Sequence, residues 1–317
     1  MKAEKKTMKV RELLAEYREI SVWTPATNRT YQYCVDMLCS EFEDGDPSLE
    51  EITVPWLAAY RARCLSRLSP VTFNSRRRHL SVLWKHAVSR KYLEENVFRL
   101  VRAAPVPRKP KAIPRDVLSR YIETLSTAKR TLRNGTEVDM FPPQFFWLAV
   151  VKTFYTTGMR LRQLIGLKWK DIDWVNRSIR LRAETSKTRR EWDVPISAML
   201  LPSLEDLRRR TRAVIGTDLA ERQVFCLPLF SSRPFKHDEM TSERVIKFFD
   251  RFDKKQDERS VRMTAHKIRH TTATELLCKN KQDIKIVQEL LGHTSMHTTL
   301  QYVHPTVNDM RSAVDML

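Results

Sequence analysis

The sequence lacks the patterns that mark secreted, disulfide-bonded and membrane proteins. Its five cysteines are scattered without a C-x-x-C pair, which excludes a zinc knuckle and a disulfide framework and predicts a reducing, cytoplasmic setting. The opening stretch MKAEKKTMKVRELL contains no apolar signal core. The longest strongly apolar run, FFWLAVV at 145–151, is too short to span a bilayer, so no membrane partner is expected.

The sequence also lacks enough acidic residues to balance its many lysines and arginines. Fifty-seven Lys and Arg face thirty-eight Asp and Glu, a net charge of +19 in 317 residues. Self-repulsion of this size destabilises a compact chain unless a polyanion neutralises it. Nucleic acid is the leading candidate, because phosphate contacts require many cations, and a solubilising excess of surface charge is the alternative. The length allows two domains, each with its own core.

The first hundred residues have the apolar spacing of helices. Helix starts are predicted where a hydroxyl residue comes shortly before a proline, at Thr24 and Pro25, at Thr53 and Pro55, and at Ser69 and Pro70. The stretch VRAAPVPRKPKAIP at 101–114 contains four prolines and four cations, which predicts an extended tether. The predicted organisation is a helical DNA-binding domain at 1–105, a linker at 106–111 and a second domain at 112–317.

The fourth helix, VTFNSRRRHLSVLWKHAVSR, has two distinct faces. Its apolar side chains share one face that is predicted to be buried: Phe73, Leu80, Trp84 and Ala87. Asn74, Arg78 and Lys85 point the other way. Such a face usually meets solvent, and it is also the pattern expected of a helix that lies on DNA. From this helix alone both interpretations stay open.

The second half predicts a mixed fold. FPPQFFWLAVVKTFYTTG reads as a buried helix that ends at Gly158. RSIRLRAE and REWDVPIS alternate as two short strands around the basic turn TSKTR, and helical patterns follow. The predicted fold class is therefore mainly α with a small antiparallel β-sheet.

Two stretches of this half contain cations in constrained positions. In TTGMRLRQLIGLKWKDID, Arg160 lies at a corner between two helices, although taken alone it is better explained as an ordinary surface arginine. In TAHKIRHTTATELL, His266 and Arg269 share one helical face. His266 and His270 have the spacing of a metal pair, but Lys267 and Arg269 would repel a cation, so no metal site is predicted.

A third stretch, LLGHTSMHTTLQYVHP at 290–305, contains His293 and Tyr302. A tyrosine at such a place is usually a packing residue. A phenol has a pKa near 10 and becomes a competent nucleophile only where cations stabilise the charge that develops during attack. Guanidinium forks can bind phosphate oxygens, and histidine can move protons. The chain thus has the groups needed to attack a phosphodiester without a Walker loop.

The order of these groups resembles the signature of the tyrosine recombinases, the phage integrase and Xer family. TGMRLRQLIGLKWKDID is similar to the first arginine box of the family, and AHKIRHTTAT and LLGHTSMHTTLQYVH are similar to its second and third boxes. The resemblance covers 110–317 closely. It covers 8–100 more loosely, as the helical core-binding domain of such enzymes.

The resemblance implies a role for each candidate side chain. Arg160 and Arg269 clamp the scissile phosphate and stabilise its pentavalent transition state. His266 assists proton transfer, His293 bonds a phosphate oxygen, and Tyr302 forms a 3′-phosphotyrosine link. Because that link conserves the energy of the broken backbone bond, neither ATP nor any other cofactor is expected.

The basic turn supplies the remaining groups. Lys187 matches the hairpin lysine that protonates the leaving 5′ oxygen, because its spacing of eight residues from Pro195 fits better than that of its neighbours. Those neighbours, Arg189 and Arg190, are predicted DNA contacts. One departure stands in the first box, where Gln163 replaces the usual Glu and is expected to support Arg160 more weakly.

The resemblance also implies an assembly. The two domains are expected to form a C-shaped clamp on double-stranded DNA with inverted-repeat core sites, and a homotetramer to hold two such sites. An accessory DNA-bending protein and association with the nucleoid are further expectations. The tail 303–317 is expected to dock on a neighbouring protomer, with packing on its own domain as the alternative; its apolar residues share one side, at Val307, Met310, Val314 and Leu317.

Two rival functions stay open at this point. A type IB topoisomerase uses similar chemistry as a monomer and relaxes supercoiled DNA without a particular site. A non-catalytic DNA-binding regulator would share the charge, but it has no need of the ordered set of catalytic residues.

Overall fold

The computed structural model describes most of the chain, in two compact units. The units comprise Met1–Lys109 and Pro110–Leu317. The described residues are 8–106, 112–186, 190–231, 238–255, 261–279 and 282–303, with 311, 314 and 315. The boundary falls inside the predicted linker 106–111, of which 107–111 lie outside the described residues. The C-shaped arrangement stays a prediction, as do the tail contacts, since Val307, Met310 and Leu317 are not described.

The first unit is helical, as its apolar spacing predicts. Its helices are α1 (Val10–Glu19), α2 (Pro25–Cys39), α3 (Val54–Arg67), α4 (Pro70–Ser89) and α5 (Val97–Leu100), with a 3-10 turn at Leu49–Glu51. The predicted caps are confirmed, because the side-chain oxygens of Thr24, Thr53 and Ser69 accept backbone N–H groups at 3.2, 3.3 and 3.2 Å. Each cap places a proline in the first turn, where its missing N–H costs no helical hydrogen bond.

Helix α4 has the two faces that its sequence predicts. The four apolar side chains of the predicted core face are all buried: Phe73, Leu80, Trp84 and Ala87. Trp84 also meets Phe98 of α5 edge to face, with ring centroids 4.7 Å apart. On the opposite face Arg78 and Lys85 are exposed, whereas Asn74 is half-buried. The cationic face of α4 is therefore available to a partner.

The second unit is mainly helical with small antiparallel sheets, which confirms the predicted fold class. Its helices are α6 (Arg115–Thr127), α7 (Gln144–Thr157), α8 (Leu161–Gly166), α9 (Leu201–Ile215), α10 (Ser242–Asp253), α11 (Ala265–Thr274), α12 (Ile284–Leu291) and α13 (Met296–Leu300). Its strands are β1 (Lys129–Thr131), β2 (Glu137–Asp139), β3 (Ile172–Asp173), β4 (Ser178–Leu181) and β5 (Trp192–Pro195). A π-helical turn lies at Glu275–Lys279. Every helix in the described part of the chain is too short or too polar to span a lipid bilayer.

The two predicted strands are confirmed as β4 and β5, and they pair antiparallel in a sheet of order β3-β4-β5. Ile179 faces Val194 and Leu181 faces Trp192, so the apolar side chains of both strands lie on the buried face. The β1–β2 hairpin was not predicted. Its strands are exposed or half-buried and polar, so they have no apolar alternation to reveal them.

Helix α7 forms the centre of the second core. Trp147 stacks on Phe248 of α10 at a centroid distance of 3.8 Å. The helix ends at Gly158, as predicted, with a left-handed φ of +61°. A Cβ at this position would lie 2.5 Å from Leu291 Cδ2, so the end of α7 packs directly against the end of α12. This close approach brings the first and third boxes of the sequence together.

Candidate active site

The corner between α7 and α8 positions Arg160. Arg160 is the N-cap residue of α8, and its backbone N–H donates to Gln163 Oε1 at 2.8 Å. The Gln163 side chain is 1% exposed, so the amide that replaces the usual carboxylate acts as a buried helix cap. The Arg160 guanidinium is half-buried, and its Nη1 finds no hydrogen-bond acceptor among the described residues. Burial lowers the pKa of Arg160, which is the effect of removing a cation from water.

The second arginine, Arg269 on α11, connects the other two boxes. Its guanidinium is almost fully buried: Nη1 donates to the Gly158 carbonyl at 2.5 Å, and Nη2 donates to the Leu291 carbonyl at 2.8 Å. Burial, and then repulsion from Arg160, lowers the pKa of Arg269 to about 10. Because 10 is still well above neutrality, the group keeps its charge and its full set of N–H donors.

The contact between Arg269 and His293 determines the tautomer of the imidazole. Arg269 Nη2 lies 2.7 Å from His293 Nε2, and His293 Nδ1 lies 2.9 Å from Thr299 Oγ1. A guanidinium can only donate, so Nε2 must accept, and Nδ1 carries the proton that is donated to Thr299. Burial and the charges of Arg269 and Arg160 lower the pKa of His293 to about 4. The imidazole is therefore neutral near pH 7.

Tyr302 is mostly buried, and it lies beside these cations. The phenol raises the pKa of both Arg269 and Arg160 against the effect of burial, so it lies within electrostatic range of both guanidinium groups. The ring is parallel to that of His293, which contacts Arg269, with centroids 5.9 Å apart. Tyr302 thus packs as an ordinary core residue through its ring, beside the arginine pair of its own chain.

Two more histidines lie on α11, and one of them contacts the phenol ring. His266 Nε2 and His270 Nε2 are 2.9 Å apart, so one donates and the other accepts. His270 also meets the Tyr302 ring, at a centroid distance of 4.7 Å. The spacing of the pair reveals it in the sequence, but that spacing suggests a metal site rather than a contact with Tyr302. Among the described residues, no group of three or more His, Cys, Asp or Glu is placed to hold a metal ion.

The basic turn is described only in part. Lys187 and Arg189 lie outside the described residues, so their predicted roles have no geometry to support or oppose them. Arg190 is described, and it forms an ion pair with Glu289 of α12. Its predicted contact with DNA stays a prediction.

In the first unit, the cationic face of α4 lines an open groove of about 440 Å³. The cations that line it are Arg77, Arg78, Lys85 and Arg99, and no carboxylate appears among the described residues of its lining. Asn74, a predicted DNA contact, has a structural role here: its amide exchanges two hydrogen bonds of 2.8 Å with the backbone of Ala104. Arg78 and Lys85 remain exposed on the groove.

Comparison with known proteins gives a consistent picture. Residues 136–309 match the model of the Phage integrase family. A putative tyrosine recombinase XerC of Pseudomonas syringae is 32% identical over 98% of this chain and 64% of its own length. Another, of Pseudomonas aeruginosa, is 28% identical over 97% of this chain and 71% of its own. This chain therefore spans only about two thirds of the length of these two relatives.

Solved structures share the fold. The Tn1549 transposon integrase, in complex with transposon right end DNA, superposes with a TM-score of 0.72 at 17% identity, over 98% of this chain and 99% of its own. A lambda integrase tetramer bound to a Holliday junction gives 0.70 at 19% identity, over 94% of this chain and 78% of its own. At such identities the likeness concerns the fold and leaves the roles of individual side chains to the site geometry.

Proposed function

Because this chain belongs to the phage integrase family of tyrosine recombinases, whose members act as site-specific DNA recombinases, we propose that it cuts and rejoins duplex DNA through a 3′-phosphotyrosine link at Tyr302. The observation that carries the proposal is that Tyr302 stacks beside His293, which in turn contacts Arg269, within one protomer. Arg160 lies close enough for its charge to act on both Arg269 and His293. A phenol is activated where fixed cations stabilise the charge that forms during attack. The chemistry proposed here uses neither a metal ion nor ATP.

The phosphate would enter at the arginine pair. Arg160 Nη1 is a buried donor without an acceptor among the described residues, and leaving such a group unpaired costs about 1–3 kcal/mol. A non-bridging phosphate oxygen would satisfy it. A second oxygen would take the Arg269 N–H that His293 accepts in the free protein. His293 Nε2 therefore occupies the acceptor position at Arg269 that the phosphate oxygen would take when DNA binds.

The reaction then follows from the positions of the groups. The Tyr302 oxygen forms a bond with phosphorus while its proton passes to the His266–His270 pair, and the bond from phosphorus to the 5′ oxygen breaks. Lys187 would supply the proton to that oxygen, as the family resemblance implies. Religation reverses each step, with the 5′ hydroxyl of the partner strand as the nucleophile.

The direct test is covalent trapping on nicked DNA from the flanks of the encoding gene, followed by mapping of the attached nucleotide. We expect a 3′-phosphotyrosine adduct at one position within an inverted repeat. Relaxation of any supercoiled plasmid, without such a site, would instead favour a topoisomerase. A substrate that traps no protein would favour a non-catalytic DNA-binding protein.

The histidine pair provides a finer prediction. We expect His270→Phe, which keeps a ring against Tyr302 but loses the bond to His266, to slow covalent attachment about tenfold, the kinetic equivalent of one hydrogen bond of about 1.4 kcal/mol. His270→Gln is the matched variant, because its amide nitrogen can occupy the place of Nε2, and it should retain more activity. Single-turnover trapping measures both rates. Equal losses in the two variants would argue against the hydrogen bond.

The groove on α4 is proposed to bind the DNA backbone. Arg78→Ala combined with Lys85→Ala should weaken DNA binding and reduce the slope of log K against log salt by about 0.9 for each phosphate that the protein no longer neutralises, or roughly 2 in total. Fluorescence titrations between low and moderate salt would measure the slope. Arg67→Ala, which removes an exposed cation of α3 outside the groove lining, is the control. A double variant with the wild-type slope would exclude this groove.

The proposed assembly has two protomers on the inverted arms of one core site and a homotetramer on two sites, with the tail 303–317 exchanged between neighbours. The tetrameric state of the lambda integrase on a Holliday junction supports it by likeness of fold. An accessory DNA-bending protein and a place in the cytoplasmic nucleoid belong to the same proposal.

A further inference from the structure

Strand β5, which follows the basic turn, contacts the end of α12 just before His293. Trp192, at the start of β5, donates its indole N–H to the Leu290 carbonyl at 3.1 Å. Arg190, two residues before it, forms an ion pair with Glu289. About a hundred residues of chain separate the two partners of each contact, so these contacts join two distant parts of the second unit.

The indole also packs on Gly292. This glycine ends α12 with a left-handed φ of +62°, and a Cβ built on it would lie 2.3 Å from both Cη2 and Cζ2 of Trp192. Residues other than glycine rarely adopt this backbone conformation, and a side chain at this position would clash with the indole ring. The turn and the indole are therefore in direct contact, and the position of one determines the position of the other.

The opposite side of the same turn faces the reaction centre. The Leu290 carbonyl accepts from Trp192, whereas the next carbonyl, that of Leu291, accepts from Arg269 at 2.8 Å. His293, two residues after Leu291, accepts from the same Arg269 nitrogen. Consecutive backbone groups thus connect β5 on one side with the buried guanidinium on the other.

We propose that Trp192 is a positioning residue of the recombination reaction. Its contacts with Leu290 and Gly292, together with the ion pair of Arg190 and Glu289, form what we call the strand clasp. The clasp holds the turn so that the Leu291 carbonyl, which accepts from Arg269, keeps the guanidinium aimed at Tyr302 and at the phosphate. This inference rests on the proposed role of Arg269 as a phosphate clamp.

The ion pair of the clasp contributes little to folding stability, which indicates that the clasp positions the turn rather than stabilises the unit. The side chains of Arg190 and Glu289 are 40% and 42% exposed, and Lys285 shares the same carboxylate at 3.0 Å. Ion pairs this exposed contribute little to folding. The indole N–H of Trp192, by contrast, donates to the Leu290 carbonyl. The next carbonyl along the chain, that of Leu291, accepts from Arg269. Losing this hydrogen bond should displace the Arg269 guanidinium, while the free energy of unfolding of the second unit should change little.

The experiment compares Trp192→Phe, which keeps an aromatic ring but loses the N–H, with the wild type on three versions of one suicide substrate. On the ordinary phosphate we expect covalent attachment to slow about tenfold or more, while the Kd for core-site DNA and the midpoint of thermal unfolding stay near wild type. On a methylphosphonate, which carries no charge for the clamp to neutralise, the difference between variant and wild type should shrink. On a 5′-bridging sulfur, whose leaving group needs no proton, the difference should persist.

Two references make the outcome decisive. Trp174→Phe makes the same change at a tryptophan that contacts Trp169 and Arg208, and it should react at the wild-type rate. Arg269→Ala reports on the clamp itself: if it reacts normally, the proposed role of Arg269 as a phosphate clamp has failed, whereas absence of any adduct from the wild type would mean that the proposed function has failed. A Trp192→Phe variant with the wild-type rate, or with a defect that methylphosphonate leaves unchanged, would overturn the inference. Rescue by sulfur would place the effect at the leaving group and overturn it too.

Discussion

Replacing Arg269 with alanine should lower the single-turnover rate of covalent attachment by more than a hundredfold. Removing one preorganised donor to a developing negative charge costs on the order of 3 kcal/mol of barrier, which corresponds to a factor of about 10². The variant also leaves the carbonyls of Gly158 and Leu291 without their buried donor, which adds a loss of folding stability. The rate is measured by trapping on a nicked substrate at saturating protein.

Two further variants separate charge from geometry. Arg269→Lys keeps the charge, but one ammonium group cannot reproduce the planar fork that reaches Gly158, Leu291 and His293, so only part of the rate should return. Arg160→Ala should lose a similar factor in rate with a smaller fall in the thermal midpoint, because its Nη1 has no acceptor among the described residues. Near-normal attachment by Arg269→Ala would remove this residue from the proposed clamp.

Tyr302→Phe should bind core-site DNA as the wild type does and form no covalent adduct. The substitution removes only the hydroxyl, so the ring keeps its contacts with His293 and His270 and its place in a small cluster with Ala273, Val287 and Leu291. The reaction loses its nucleophile, and no smaller effect than complete loss is expected. Denaturing gels of trapped complexes measure the adduct, and a mobility shift measures binding.

The matched control is Tyr121→Phe. Tyr121 is another buried tyrosine of the second unit, and its hydroxyl donates to the Val261 carbonyl at 3.0 Å. Loss of that bond costs about 1 kcal/mol of stability, and the adduct should form as in the wild type. An adduct in Tyr302→Phe would move the nucleophile to another side chain and contradict the proposed mechanism.

Much of the first unit is predictable because its signals are local. Thr24 and Ser69 cap their helices through bonds to residues three positions away, and the buried face of α4 follows from a period of 3.6. Arg76 is an exception on that helix. Its guanidinium is buried and donates to the Tyr33 hydroxyl at 2.6 Å. A charged side chain is expected on the exposed face of a helix, so its burial is explained only by this tertiary contact.

Within the candidate site, residue types and their order are predictable, whereas partners are not. Arg269 stands out in its box, but its bonds to Gly158 and Leu291 join segments 111 and 22 residues away. His270 has the spacing of a metal pair, for which the sequence predicts no metal, and only the structure shows the phenol beside it. Trp192 reads as a strand residue, and nothing in its neighbourhood along the chain points to Gly292.

By itself, the sequence determined which groups this protein has for chemistry on a phosphodiester, and in which boxes they occur, because side-chain type and short spacing are local properties. Only the tertiary structure decided that the Tyr302 ring lies beside His293 and Arg269 of its own chain, that His293 is neutral with its proton on Nδ1, and that a tryptophan from β5 supports the turn beside them. These facts depend on burial and on contacts between distant segments. Both arise only when the helices pack.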